Sequence, residues 1–89
     1  MRPEEKRREP RRAASGVVHV RFNDTRQIEI HGRLIDVSPG GFRMSHDFAS
    51  LAAGQVVEFA HVEARGRARV IWNRILHERV ETGFLVIGK

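Results

Sequence analysis

The chain has no cysteine and no tyrosine, and its aromatic residues are five phenylalanines and one tryptophan in 89 residues. Without thiols there is no disulfide framework, no thiolate metal site and no cysteine nucleophile. No apolar run approaches the roughly 18 residues of a membrane-spanning helix, and the amino terminus is charged rather than leader-like. A soluble, cytoplasmic protein is therefore expected. The length allows one domain, and a chain so short buries only about 60–65% of the surface its unfolded form exposes. The five histidines (His19, His31, His46, His61, His77) form no HxH or HxxxH pair, so no metal site is expected. Ser38, a histidine and Asp36 supply the residue types of a triad, but no nucleophile-elbow motif frames them, and no catalysis is expected.

Charge is unevenly spread. Residues 1–12 hold six basic side chains against three acidic ones, a net of +3, and the other 77 residues carry only +2. Residues 1–15 have almost no apolar side chain before Ala13, so they read as a flexible arginine-rich arm. From residue 16 the pattern changes to period two. Val18, Val20 and Phe22 alternate with His19, Arg21 and Asn23, and Ile28, Ile30 and Leu34 mark a second strand with Gly32 as a candidate bulge. Phe42, Met44 and His46 share one parity in a third strand. Strands over 55–62, 65–74 and 82–88 follow, and Asp47 to Gly54 reads as one helical turn with Asp47 as its N-cap. Six short strands without a long helix predict an all-β fold, a small six-stranded antiparallel barrel over residues 16–89.

Asp36-Val37-Ser38-Pro39-Gly40-Gly41, set behind Lys6-Arg7-Arg8-Glu9-Pro10-Arg11-Arg12, is the feature with the most chemistry in it. An arginine fork can grip guanine O6 and N7, and a carboxylate can accept from guanine N1–H and N2–H₂. Phosphates want arginine again, together with backbone N–H groups laid bare by glycine. Gly40 and Gly41 are expected to supply positive φ and close backbone approach. Asp36 alone would read as a turn residue bonding its own backbone. If its role is ligand recognition, Asn in its place should cost the fold less than about 1 kcal/mol. Trp72 is expected in the core or at a barrel rim, and Arg65, Arg67 and Arg69 on a solvated strand face.

The order and spacing of these two elements resemble the PilZ domain family, receptors for the bacterial second messenger cyclic di-GMP, whose signature is RxxxR followed by [D/N]xSxxG. Asp36, Ser38 and Gly41 match the second element. The first fits as Arg7 and Arg11 or as Arg8 and Arg12, with Pro10 favouring Arg7 and Arg11. Arg69-Val70-Ile71-Trp72 and Thr82-Gly83-Phe84 look like the family's late strands. The resemblance implies a six-stranded antiparallel barrel and cyclic di-GMP bound by Arg7, Arg8, Arg11, Arg12, Asp36, Ser38, Gly40 and Gly41. It also implies no cofactor, no catalysis and a protein effector downstream. Ordering of the arm on the ligand would be the signal. Two rivals stand beside this reading: a barrel binding single-stranded nucleic acid through the arm and the Arg65–Arg69 face, and an adaptor without ligand. The parity of the phenylalanines with apolar strand positions speaks against the first, which needs surface aromatics for stacking.

Overall fold

Alternation of apolar and polar side chains accounts for most of the elements. The computed structural model describes residues 10–88, and these form strands and connecting turns without a helix: β1 (Arg12–Ala13), β2 (Val17–Asn23), β3 (Gln27–Ser38), β4 (Gly41–His46), β5 (Val56–His61), β6 (Ala64–Leu76) and β7 (Arg79–Gly88). In β2, Val18, Val20 and Phe22 are buried while Val17, His19, Arg21 and Asn23 face out, as the two-residue period of a strand requires. All pairings are antiparallel, in the order β1-β3-β2-β5-β6-β7-β4, and β3 pairs with β4 as well. That last pairing closes β2–β7 into the six-stranded barrel that the sequence predicts, with β1 added beside it. Inside, Phe42 stacks on Phe84 with ring centroids 4.7 Å apart and leans on Phe59 at 4.8 Å. Burying a side chain of this kind contributes about 1.5–3 kcal/mol. Among the described residues no helix is long and apolar enough to cross a membrane.

Strand β3 positions the motif. Its first part pairs with β2, and its last part with β4 on one side and β1 on the other. The register shifts between Leu34 and Asp36, a bulge that inserts Ile35. Without the extra residue, Leu34 and Asp36 would share a face. With it, Leu34 and Val37 both enter the core and Asp36 turns to the outer face. The bulge expected at Gly32 is therefore misplaced: Gly32 sits in a regular rung opposite Val18.

Three other expectations change. No helical turn forms over Asp47–Gly54, which is a loop of bends and turns. An isolated turn of helix is marginal, and the barrel offers its backbone better partners. Phe48 N–H donates to His46 Nδ1 (3.0 Å), Asn73 Nδ2 donates to the Leu51 carbonyl (2.6 Å), and the Leu51 side chain is buried. Strands β6 and β7 run beyond the expected limits into a longer hairpin, with Ile75 paired to Val80 and Leu76 to Arg79; Asn73 to Leu76 are all exposed, so no alternation marks this stretch in the sequence. Arg12 and Ala13, inside the expected flexible arm, form a strand on β3, opposite Val37 and Asp36.

Candidate ligand-binding site

The site grows from the β3–β4 hairpin. Pro39 and Gly40 make its turn, and the rungs above it pair Ser38 with Gly41, Val37 with Phe42 and Asp36 with Arg43. Gly41 is packed so tightly on β7 that a Cβ would lie 2.1 Å from the Phe84 carbonyl oxygen. The Gly40 carbonyl accepts from Val86 N–H at 2.8 Å. Close backbone approach is thus present, but the expected positive φ is not. Among the described residues it occurs at Gly16, Gly54, Gly66 and His77. Pro39, whose ring fixes a negative φ, leads the chain into a turn that closes without a left-handed residue. Ser38 Oγ lies 3.5 Å from the Gly41 carbonyl oxygen, a long contact within the turn.

Asp36 is buried to 6% exposure by the arginines around it. Arg43, its direct cross-strand partner, donates from Nε to both carboxylate oxygens (3.0 Å each) and from a terminal nitrogen to Oδ2. Arg11 donates to Oδ1 at 2.8 Å. The hydrogen bonds from Arg43 hold the Asp36 carboxyl below the usual carboxylate range, the charges of Arg43 and Arg11 add to this, and burial opposes it. Asp36 in turn holds Arg43 more firmly protonated. Arg12 points elsewhere and pairs with Glu63 in the β5–β6 turn, one of the two bonds at 3.0 Å. Between the two strand ends lies a pocket of about 330 Å³, rimmed by Pro10, Arg12, Ser38, Pro39, Gly41 and Glu63.

Of the predicted site residues, the fold brings together Arg11 and Asp36 on one charge cluster, and Arg12, Ser38 and Gly41 around one pocket, with Gly40 in the turn between them. Arg7 and Arg8 lie outside the described residues. Sequence reading missed Arg43 and Glu63. Arg43 was within reach: a two-residue turn at Pro39-Gly40 fixes the rung that sets it opposite Asp36. Glu63 gave no local signal, since its partner is 51 residues away. The same outer row continues from Arg43 through Gly83 to Trp72. The Trp72 indole lies flat where a Gly83 Cβ would be, and the Arg74 guanidinium sits 5.6 Å above its ring. Trp72 is therefore a partly exposed outer-face residue and not a core one.

A closed six-stranded barrel thus sets an arginine–carboxylate cluster and a glycine-floored pocket side by side at one hairpin, an arrangement with the donors and the space that a small anionic ligand needs. The family comparison agrees: the PilZ domain matches over residues 5–86, and the chain belongs to the PilZ domain family. Domains of this family are in general receptors for cyclic di-GMP and act as binding or adaptor modules rather than enzymes. No curated protein matches the chain.

Proposed function

We propose that this chain is a cytoplasmic cyclic di-GMP receptor that binds its ligand between the arginine arm and the Asp36–Gly41 hairpin, without chemical change to the ligand. The observation that carries the reading is the 2.8 Å contact between Arg11 and Asp36, which joins the two halves of the motif in space. It favours Arg7 and Arg11 as the RxxxR pair, since Arg12 is turned toward Glu63.

The cluster also constrains how binding proceeds. A carboxylate has about four acceptor positions, and Arg43 and Arg11 take up most of those on Asp36. Arg43 is held from a strand, so it stays and fixes the carboxylate plane. Arg11 is the more exposed partner and yields, freeing acceptor capacity on Asp36 for guanine N1–H and N2–H₂. Its guanidinium then grips the base or a phosphate, together with Arg7 and, in support, Arg8. Gly40 and Gly41 admit the ligand against the backbone. Docking of the arm is the output signal to a protein effector.

Titration calorimetry with cyclic di-GMP, GTP and a single-stranded oligonucleotide tests this. Saturable binding of cyclic di-GMP alone is expected. A preference for the oligonucleotide would favour the nucleic-acid reading, and no binding of any of the three would favour an adaptor.

A further inference from the structure

No HxH or HxxxH spacing pairs the histidines in sequence, yet the β2–β3 register does. His19 and His31 stand directly opposite each other on one rung. Their rings meet with centroids 4.5 Å apart and planes at 70°. Both face outward, and the His31 side chain is 60% exposed, so this is not a packed core contact. Glu29, two residues back on the same face of β3, brings Oε1 to 3.9 Å from His31 Nε2.

The surroundings leave this pair available. On the next rung Arg21 stands between Glu29 and Glu58 and donates to Glu58 at 2.7 Å. Glu29 thus remains the carboxylate beside the imidazoles. The pair opens into a groove of about 580 Å³, wide enough for a hydrated ion, whose far wall carries Arg65 and Arg67. No three ligating groups converge on one point among the described residues, which leaves a two-imidazole site open to water.

With metal–nitrogen bonds of about 2.0–2.1 Å, two imidazoles at a cis angle of 90° have ring centres about 4.5 Å apart, and at a tetrahedral angle about 5.2 Å. The observed separation of 4.5 Å is short enough for both imidazoles to reach one ion, and the general order of divalent affinities puts Cu²⁺ above Ni²⁺ and Zn²⁺ at such a site. Rotation about χ2 brings the nitrogens to the ion, and on an exposed face no core side chain blocks it.

We infer that His19 and His31 form a bidentate site for a divalent transition metal ion, Cu²⁺ above Ni²⁺ and Zn²⁺, on the outer face of the β2–β3 hairpin, with Glu29 offsetting the ion's charge. The site is independent of the cyclic di-GMP reading: it lies where β3 pairs with β2, whereas Asp36–Gly41 lies where β3 turns back to pair with β4. Two imidazoles fixed on one rung act as linked ligands, and linkage of this kind raises affinity by about 10²–10⁴ over a single one.

The test is a Cu²⁺ titration of the full chain by calorimetry, with nitrogen hyperfine structure read by electron paramagnetic resonance. One ion per chain and two equivalent-type nitrogens are expected, with affinity falling in the order Cu²⁺, Ni²⁺ and Zn²⁺. His19→Ala and His31→Ala should each weaken Cu²⁺ binding about a hundredfold and reduce the bound nitrogens to one. Both positions are on the surface, so their circular-dichroism melts without metal should match the wild type. Should either fail to fold, His19→Asn and His31→Asn carry the same test. His77→Asn, at an exposed turn whose φ of 52° suits asparagine, should bind as the wild type does. Equal affinity in wild type and both His19 and His31 variants would overturn the site, as would a loss in His77→Asn of the same size.

Discussion

Replacing Asp36 by asparagine separates a carboxylate kept only for ligand recognition from a buried charge hub that the fold depends on. Read from the sequence, a carboxylate kept for ligand recognition predicts a cost below about 1 kcal/mol, because asparagine can still cap the turn. The structure predicts more. The amide keeps one acceptor and brings an NH₂ group against guanidinium donors that now meet a carboxylate oxygen. A hydrogen bond to a charged group is worth about 1.5–3 kcal/mol. The Arg43 part counts nearly in full, since its side chain is 28% exposed, whereas the Arg11 part is discounted because that side chain is 44% exposed. Asp36→Asn should therefore destabilise the unliganded barrel by about 2 kcal/mol, or about 8–16 °C in Tm for a domain of this size.

Urea unfolding of wild type, Asp36→Asn, Arg43→Gln and the double variant measures this as a cycle. The two single losses should be similar and the double loss well below their sum. The pH dependence supplies a second reading. The folded-state pKa of Asp36 lies below its unfolded value, so its contribution is complete above about pH 3.9 and is lost as pH falls through the folded value. Asp36→Asn should flatten that acid limb. A loss under about 0.5 kcal/mol with strict additivity would refute the reasoning and leave Asp36 with little part in the stability of the fold, as a purely ligand-recognising carboxylate requires.

Other substitutions probe neighbouring parts of the argument. Arg11→Ala should weaken cyclic di-GMP binding more than Arg12→Ala in calorimetry at one salt concentration; the opposite order would assign the motif to Arg8 and Arg12. Gly41→Ala sets a methyl group 2.1 Å from the Phe84 carbonyl oxygen, so it should cost about 1–3 kcal/mol in urea unfolding, and a neutral outcome would show that β4 and β7 separate easily. His46 is buried and accepts from Phe48 N–H through Nδ1, so its Nε2–H donates to Thr82 Oγ1 (2.6 Å), and burial lowers its pKa. Stability should be complete above about pH 6.5 and decline as pH falls toward the folded-state value, and the decline should be absent in a folded His46→Gln variant.

What the sequence made legible follows from how each feature is encoded. A half-buried strand writes its burial into alternate residues, so β2, the middle of β5 and the inner face of β4 could be read one residue at a time. The Asp36–Gly41 turn was legible because its chemistry is contiguous. Information that depends on register was hidden. The bulge at Ile35 decides that Asp36 faces outward, yet Leu34-Ile35-Asp36 carries no glycine to announce it. Arg43 became the main partner of Asp36 through a rung count that starts at Pro39-Gly40. His19 and His31, twelve residues apart, became neighbours through a three-residue turn at Asp24–Arg26.

These hidden features share a cause, and it bears on how the site works. A closed barrel converts one local choice, the extra residue at Ile35, into the orientation of every side chain beyond it on β3. Asp36 and Ser38 face outward, and Val37 the core, because of that single insertion. Deleting Ile35 should therefore do more than shorten a strand: it would turn Asp36 and Ser38 inward and Val37 outward, exchanging a carboxylate for an aliphatic in the core. The charge cluster with Arg43 and Arg11 opposes that exchange, since a carboxylate entering the core alone would lose its partners at a cost of several kcal/mol. The arginines around Asp36 thus hold the register of the hairpin as well as the carboxylate. An arm that released Arg11 to a ligand would leave Arg43 as the remaining lock.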